Sequence, residues 1–201
     1  EVAECKDAAI QHRLLLRLRD LAGGGHCPLL PLLYADLLRE LYQWLGCGAG
    51  SMRTTTSTQF FHFCLRTANL PRFEPLTAFL SPQTRATCTH VYNRATEGVG
   101  TYQLDRFGEG AIPFDLVVPG RGRGTLRVLG RQISVEFDRE PVTLEAQQPV
   151  ESASDLAGAL EGAFSACPAL VGKALVLPFM FLREAVMVLH EGASAYVERS
   201  K

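Results

Sequence analysis

Two short spacings set side by side residue types that bind metals or act as nucleophiles. His62-Phe63-Cys64 and Cys88-Thr89-His90 each hold a histidine and a cysteine two positions apart. On a β-strand, positions i and i+2 share a face. Two paired strands of this kind would aim two thiolates and two imidazoles at one point, a tetrahedral zinc set of His62, Cys64, Cys88 and His90. The plainer alternative is two buried thiols, two ordinary histidines and no cofactor. The same residues also read as cysteine–histidine nucleophile pairs. A reactive cysteine needs a cation or a helix N-terminus to depress its pKa. Around Cys64 stand Phe60, Phe61, Phe63 and Leu65, none of which supplies one. Cys88 is better placed, with Arg85, His90 and Arg94 nearby in the sequence. No Ser–His–Asp or HExxH pattern occurs. Glu136, Asp138, Glu140 and Glu145 fall on strand exteriors or turns. The expectation is a protein without a catalytic constellation, not an enzyme.

A second constellation is basic. Arg121, Arg123, Arg127 and Arg131 lie within a glycine-rich stretch, Gly120 to Arg131, that holds no acidic residue. Glycines allow close backbone approach, and arginine forks match phosphate or carboxylate. A mobile hairpin tip of this kind would touch nucleic acid, anionic lipid or an acidic protein face. It is not a phosphate-binding loop of the Walker type, which needs Gly-Lys-Ser/Thr between a strand and a helix. A solvated turn is the plainer reading.

The third is apolar. Leu30, Leu33, Leu37, Leu41 and Trp44 recur at helical spacing, widened by Tyr34, Leu38 and Leu45. Apolar anchors at i, i+3, i+4 and i+7 are what a helix presents to a hydrophobic groove. The same stripe also suits a helix lying on its own core. Leu29-Leu30-Pro31-Leu32-Leu33 fits an LxxLL box in form, with a proline inside it.

These groups are carried by elements whose periods differ along the chain. From Val2 to Gly46, Ile10, Leu14, Leu15, Leu18 and Leu21 mark one helix, ended by Gly23-Gly24-Gly25, and a second helix runs from Pro28 or Pro31 to Leu45. Together they predict a leucine-rich helical hairpin. Its apolar surface covers more than one face, so it must pack on the rest of the chain or on a partner. Gly48-Ala49-Gly50-Ser51-Met52 follows. This pentad is either a natural glycine loop or a linker whose Met was an initiator, in which case residues 1–47 are a fused fragment of a partner.

From Thr54 to Gln147 the period is two. Strands are expected over Thr58–Leu65 and Thr101–Phe107, and around Phe114–Val118, Leu126–Val128, Ile133–Phe137 and Val142–Leu144, with a short helix near Pro75–Leu80. From Val150 the pattern turns helical. Ser152 and Asp155 resemble a capping box opening a helix that reaches Ala166, and a long helix from Ala169 to Arg199 bends at Pro178. The stretch Ala169–Leu189 is too interrupted by Lys173, Pro178, Arg183 and Glu184 to span a bilayer. Strands followed by helices point to an α+β class: an antiparallel sheet of about five or six strands, two C-terminal helices and an N-terminal hairpin. The predicted boundaries are a hairpin over 1–47, a linker over 48–52 and the α+β domain over 53–201.

Apolar residues make up 47% of the 201 residues, enough for a sizeable core, and the net charge is −1, without the basic excess of a dedicated nucleic-acid binder. The six cysteines are scattered, without a CxxC pair, and several lie in apolar runs. That predicts core thiols in a reducing compartment, cytoplasmic or nuclear. No secretory signal is visible. The function expected is a protein–protein interaction module or scaffold, a subunit of a larger assembly whose leucine-rich segment docks on the α+β domain. The alternatives are nucleic-acid or phosphate binding through the arginine turn, and zinc binding.

Overall fold

The structure is a computed structural model that describes residues 8–23, 30–44, 46, 55–98 and 103–186. The chain divides into two compact units, Glu1–Phe60 and Phe61–Lys201. In the first, helix α1 covers Ala8–Gly23, α2 covers Leu30–Trp44, and a single turn, α3, covers Ser57–Phe60. Arg17 on α1 donates to Glu40 on α2 at 2.9 Å. None of the described side chains of α1 and α2 is fully buried. Leu15, Leu16, Leu18, Tyr34 and Leu38 are exposed. Leu33, Leu37 and Leu41 are half-buried, while the side chains of Leu30 and Trp44 and the pentad 48–52 lie outside the described residues.

The second unit is α+β. After a 3-10 turn at Pro71–Phe73 come α4 (Glu74–Leu80) and α5 (Arg85–Ala95), then a 3-10 turn at Leu104–Phe107. Four strands follow as an antiparallel meander: β1 (Ala111–Val118), β2 (Gly122–Leu129), β3 (Gln132–Phe137) and β4 (Val142–Glu145). Helix α6 (Ala153–Leu160) carries the chain on to β5 (Ala169–Gly172), which pairs antiparallel with β1, and α7 (Val176–Leu182) closes the described part. The sheet has five strands in the order β4-β3-β2-β1-β5.

One face of this sheet builds the core. Phe114 and Leu116 of β1, Leu126 and Val128 of β2, and Ile133 and Val135 of β3 are fully buried, alternating with polar or charged residues on β2 and β3. Phe79 of α4 meets Phe114 edge-on at 6.1 Å between ring centroids. Interior β1 is buried on both faces along most of its length, its apolar run interrupted by the buried Asp115. Pro113 cannot donate to the ladder and sits where the β1–β2 register shifts, between Ala111 and Asp115. Its carbonyl accepts from the Lys173 amide at 2.8 Å. Ser152 caps α6, its hydroxyl oxygen accepting from the Asp155 amide at 3.1 Å, as the sequence predicts.

Four sequence expectations are corrected. Thr58–Leu65 is not a strand: Ser57–Phe60 is a helical turn, and only His62 makes a β-bridge, to Ala169. The aromatic run is apolar because Phe61 and Phe63 are core anchors, stacked edge-on against Phe181 and Phe73. Leu104–Phe107 is a 3-10 turn, and Thr101 and Tyr102 lie outside the described residues. The helix expected to reach Ala166 stops at Leu160, with Gly162 at φ +74° just beyond, a conformation that glycine adopts without strain. The long helix from Ala169 is instead β5, a turn and α7; Pro178 sits in the first turn of α7, where no intrahelical N–H is needed. A four-residue apolar strand buried along its whole length, Ala169-Leu-Val-Gly172, has no alternation to distinguish it from a helix. Residues 187–199 lie outside the described residues.

Candidate docking groove

The zinc geometry is not assembled. Cys88 and His90 stand on α5, not on a strand, and two positions apart on a helix point to nearly opposite sides. His62 and Cys64 do lie together, with Nδ1 4.0 Å from Sγ. Among the described residues no group of three or more His, Cys, Asp or Glu side chains could hold a metal ion. The described thiols are not core groups either: Cys64 and Cys88 are half-buried and Cys167 is exposed. Cys64 has hydrogen-bonding neighbours in Arg66 and Thr67, two and three positions on in the sequence. Burial pushes its pKa up, but hydrogen bonds from Thr67 and from Arg66 outweigh this and leave the thiol below its ordinary value. Cys5, Cys27 and Cys47 lie outside the described residues.

The four arginines do not share a loop tip. Arg121 stands exposed in the β1–β2 turn, Arg123 and Arg127 are on β2, and Arg131 is in the β2–β3 turn. Three are engaged within the chain: Arg123 with Asp115, Arg127 with Glu136, and Arg131 with Glu145 and, through Nε, the Ala146 carbonyl at 2.9 Å.

Among the described residues of the unit, Asp115 and Lys173 are the buried charges, at 5% and 8% exposure, on the sheet face opposite the core. Lys173 Nζ lies 2.7 Å from Asp115 Oδ1, donates to Thr125 Oγ1 at 2.8 Å, and sits 4.2 Å from the centroid of the Phe107 ring. Thr125 is directly opposite Asp115 in the β1–β2 register. The two charges are paired within the chain, which suits a fixture of the fold, although Asp115 Oδ1 meets Lys173 as an ion pair without hydrogen-bond geometry. The sequence treated Lys173 only as an interruption in an apolar stretch.

An apolar concavity lies elsewhere. An open groove of about 600 Å³ runs between α4, α5 and α7, floored by Phe79, Tyr92 and Val176 and flanked by Cys88, Val91 and Phe179. Its flanks are unusually greasy for a surface: Val91 is 58% exposed, Phe179 46%, and neighbouring Leu182 54%. At one end Glu74 and Arg183 form an ion pair. An apolar centre with a charged rim is the anatomy of a protein interface. Its walls are held rigidly. Arg85, at the start of α5, donates to the carbonyls of Gly110 and Val128 at 2.9 and 2.6 Å, pinning the helix to the sheet. Bare Gly172 on β5 lets α7 approach, because a Cβ there would stand 2.8 Å from the Leu177 nitrogen and 2.9 Å from Met180 Sδ. A second ion pair, Arg72–Glu184 at 2.7 Å, ties the end of α7 to the Pro71–Phe73 turn.

The groove was legible in part. Cys88, Val91, Tyr92 and Ala95 carry the i, i+3, i+4, i+7 spacing of an apolar helix face, a signal masked when Cys88 and His90 are read as strand residues. The α7 wall had no such signal, because its strand–turn–helix junction is compressed into one apolar run. No family model, curated protein or solved structure matches the chain.

Proposed function

We propose that the chain is a protein–protein interaction module, a subunit of a larger assembly, and that the groove between α4, α5 and α7 takes the apolar face of an amphipathic helix. The observation that supports this most is the exposed apolar pair Val91 and Phe179 on opposite walls of one trough. A helix presenting anchors at i, i+3, i+4 and i+7 has the complementary chemistry. The chain itself contains such a helix, α2, with Leu33, Leu37 and Leu41 in a stripe. The leucine-rich segment is therefore proposed as a ligand for this kind of groove, whether it acts within the chain or between chains.

The test is a binding titration. A labelled peptide of residues 30–45 is added to the full chain carrying Leu37→Glu and Leu41→Glu, so that its own helix cannot compete. Saturable binding is expected, nearly independent of salt. Adding Val91→Glu and Phe179→Glu should weaken it by about tenfold or more, since burying one such side chain is worth about 1.5–3 kcal/mol. Equal binding with and without those two charges, in a protein with an unchanged melting curve, counts against the groove. Binding that weakens steeply with salt and is lost on replacing Arg121, Arg123, Arg127 and Arg131 by Ala supports an electrostatic partner instead.

A further inference from the structure

The pairing that begins at His62 has a consequence for two cysteines far apart in the sequence. Phe63 donates its amide to the Pro168 carbonyl at 2.9 Å, and Leu170 donates to the Phe61 carbonyl at 2.9 Å. These bonds flank the antiparallel His62–Ala169 bridge, which makes that bridge a non-hydrogen-bonded pair. Phe63 then stands opposite Pro168, and the next residues in the same register are Cys64 and Cys167. The ladder itself stops at this isolated bridge, with Cys64 entering a turn closed by the Thr67 and Ala68 amides; at the next non-hydrogen-bonded position of a regular ladder, facing Cα atoms lie about 4.5 Å apart. A disulfide accepts Cα separations of about 4.4–6.8 Å. Both residues also line one small cavity of about 80 Å³, with Phe63, Leu65, Leu160 and Pro168. Both thiols are free.

We infer that Cys64 and Cys167 form a reversible redox pair, closed to a disulfide by a hydroperoxide. Their chemical environments are unequal in the way such a pair requires. Cys64 is half-buried, accepts from Thr67 Oγ1 at 3.7 Å and has His62 Nδ1 at 4.0 Å. Cys167 is exposed. Hydrogen bonds from Thr67 and Arg66 favour the Cys64 thiolate over what burial alone would give. The Cys64 thiolate attacks the peroxide oxygen; the O–O bond breaks, the alkoxide leaves and takes a proton, and Cys64 becomes a sulfenic acid. The Cys167 thiolate then attacks the Cys64 sulfur, the S–S bond forms, and hydroxide leaves to become water. Two thiols and one hydroperoxide give one disulfide, one alcohol and one water; for hydrogen peroxide, two waters. The bond would fasten the segment around His62, already bridged there, to the outer edge of β5, itself an edge strand of the sheet. The inference is independent of the groove and of its ligand.

The full chain, reduced and then exposed to near-stoichiometric hydrogen peroxide, is alkylated and digested without reductant for mass spectrometry. A peptide joining Cys64 to Cys167 is expected as the main oxidised product, formed faster in the folded protein than in guanidinium and reversed by dithiothreitol. Cys167→Ser should stop the reaction at a sulfenic acid on Cys64 that dimedone traps. Cys64→Ser should leave Cys167 alkylatable, and Cys88→Ser should leave the product unchanged. The inference is overturned if Cys64 and Cys167 both stay alkylatable in the folded protein, if either pairs preferentially with another cysteine, or if Cys64 runs on to sulfinic acid without cross-linking.

Discussion

The surroundings of Cys64 alter the chemistry of its thiol. Burial raises its pKa, while the Thr67 hydroxyl and the Arg66 and Thr67 backbone lower it by more. Because the net shift is downward, the thiolate is reached at lower pH than for an ordinary thiol near 8.5. The pH dependence of Cys64 alkylation by iodoacetamide should accordingly have a midpoint below that of an exposed cysteine peptide. Thr67→Val removes a lowering bond and leaves the burial, so the midpoint should move up; an unchanged midpoint would show that Thr67 does not act on the thiol. Asp115 and Lys173 pose a different residue-scale question. Breaking a buried pair leaves one charge unpaired. Asp115→Ala strands the Lys173 ammonium, with Thr125 its remaining hydrogen-bond partner and the Phe107 ring beside it, whereas Lys173→Met leaves Arg123 still facing Asp115. The expected losses of unfolding free energy are about 4–5 kcal/mol for the first and about 3 kcal/mol for the second. Urea denaturation checks both; losses below about 1 kcal/mol for both would mean that solvent screens the pair.

At the scale of elements, the groove depends on how closely α7 lies on β5. Gly172→Ala places a methyl against the Leu177 backbone and Met180. Overpacking of this kind costs about 1–3 kcal/mol, and it should also reduce ligand binding by displacing Phe179. An alanine that left both stability and binding intact would contradict the tight junction. The elements differ in how plainly the sequence announces them. Strands β2 and β3 alternate buried and exposed residues, so Leu126, Val128, Ile133 and Val135 are readable as core without a structure. β5 lies beside the doubly buried β1 and has no polar positions, so Ala169–Gly172 looks like helix. The Phe60–Phe63 run misleads for the opposite reason: its bulk belongs to anchors placed by turns, not to a pleat. Tertiary contact decides such segments, and local period does not. That Cys64 and Cys167 line one small cavity was invisible for the same cause, because the His62–Ala169 bridge joins segments far apart in the sequence.

Over the whole molecule, two units carry complementary kinds of surface. The first shows leucines at helical spacing, with Leu15, Leu16, Leu18 and Leu38 exposed. The second presents ion pairs at its surface, among the described residues, beside an apolar trough. With a net charge of −1, the proposed docking would rest more on apolar fit than on long-range attraction. Among the described residues no helix is long and apolar enough to cross a membrane. Under the proposed function, the leucine-rich face and the trough are covered by protein. The most direct measurement replaces Val91 by the photo-crosslinker p-benzoylphenylalanine in the purified full chain and maps the adducts after irradiation. The account predicts adducts on the leucine-rich helix, residues 30–44 of the same or a second copy, that disappear when Leu37 and Leu41 are changed to Glu. Adducts confined to α4, α5 and α7 themselves, or adducts on residues 30–44 that survive those two substitutions, would contradict it.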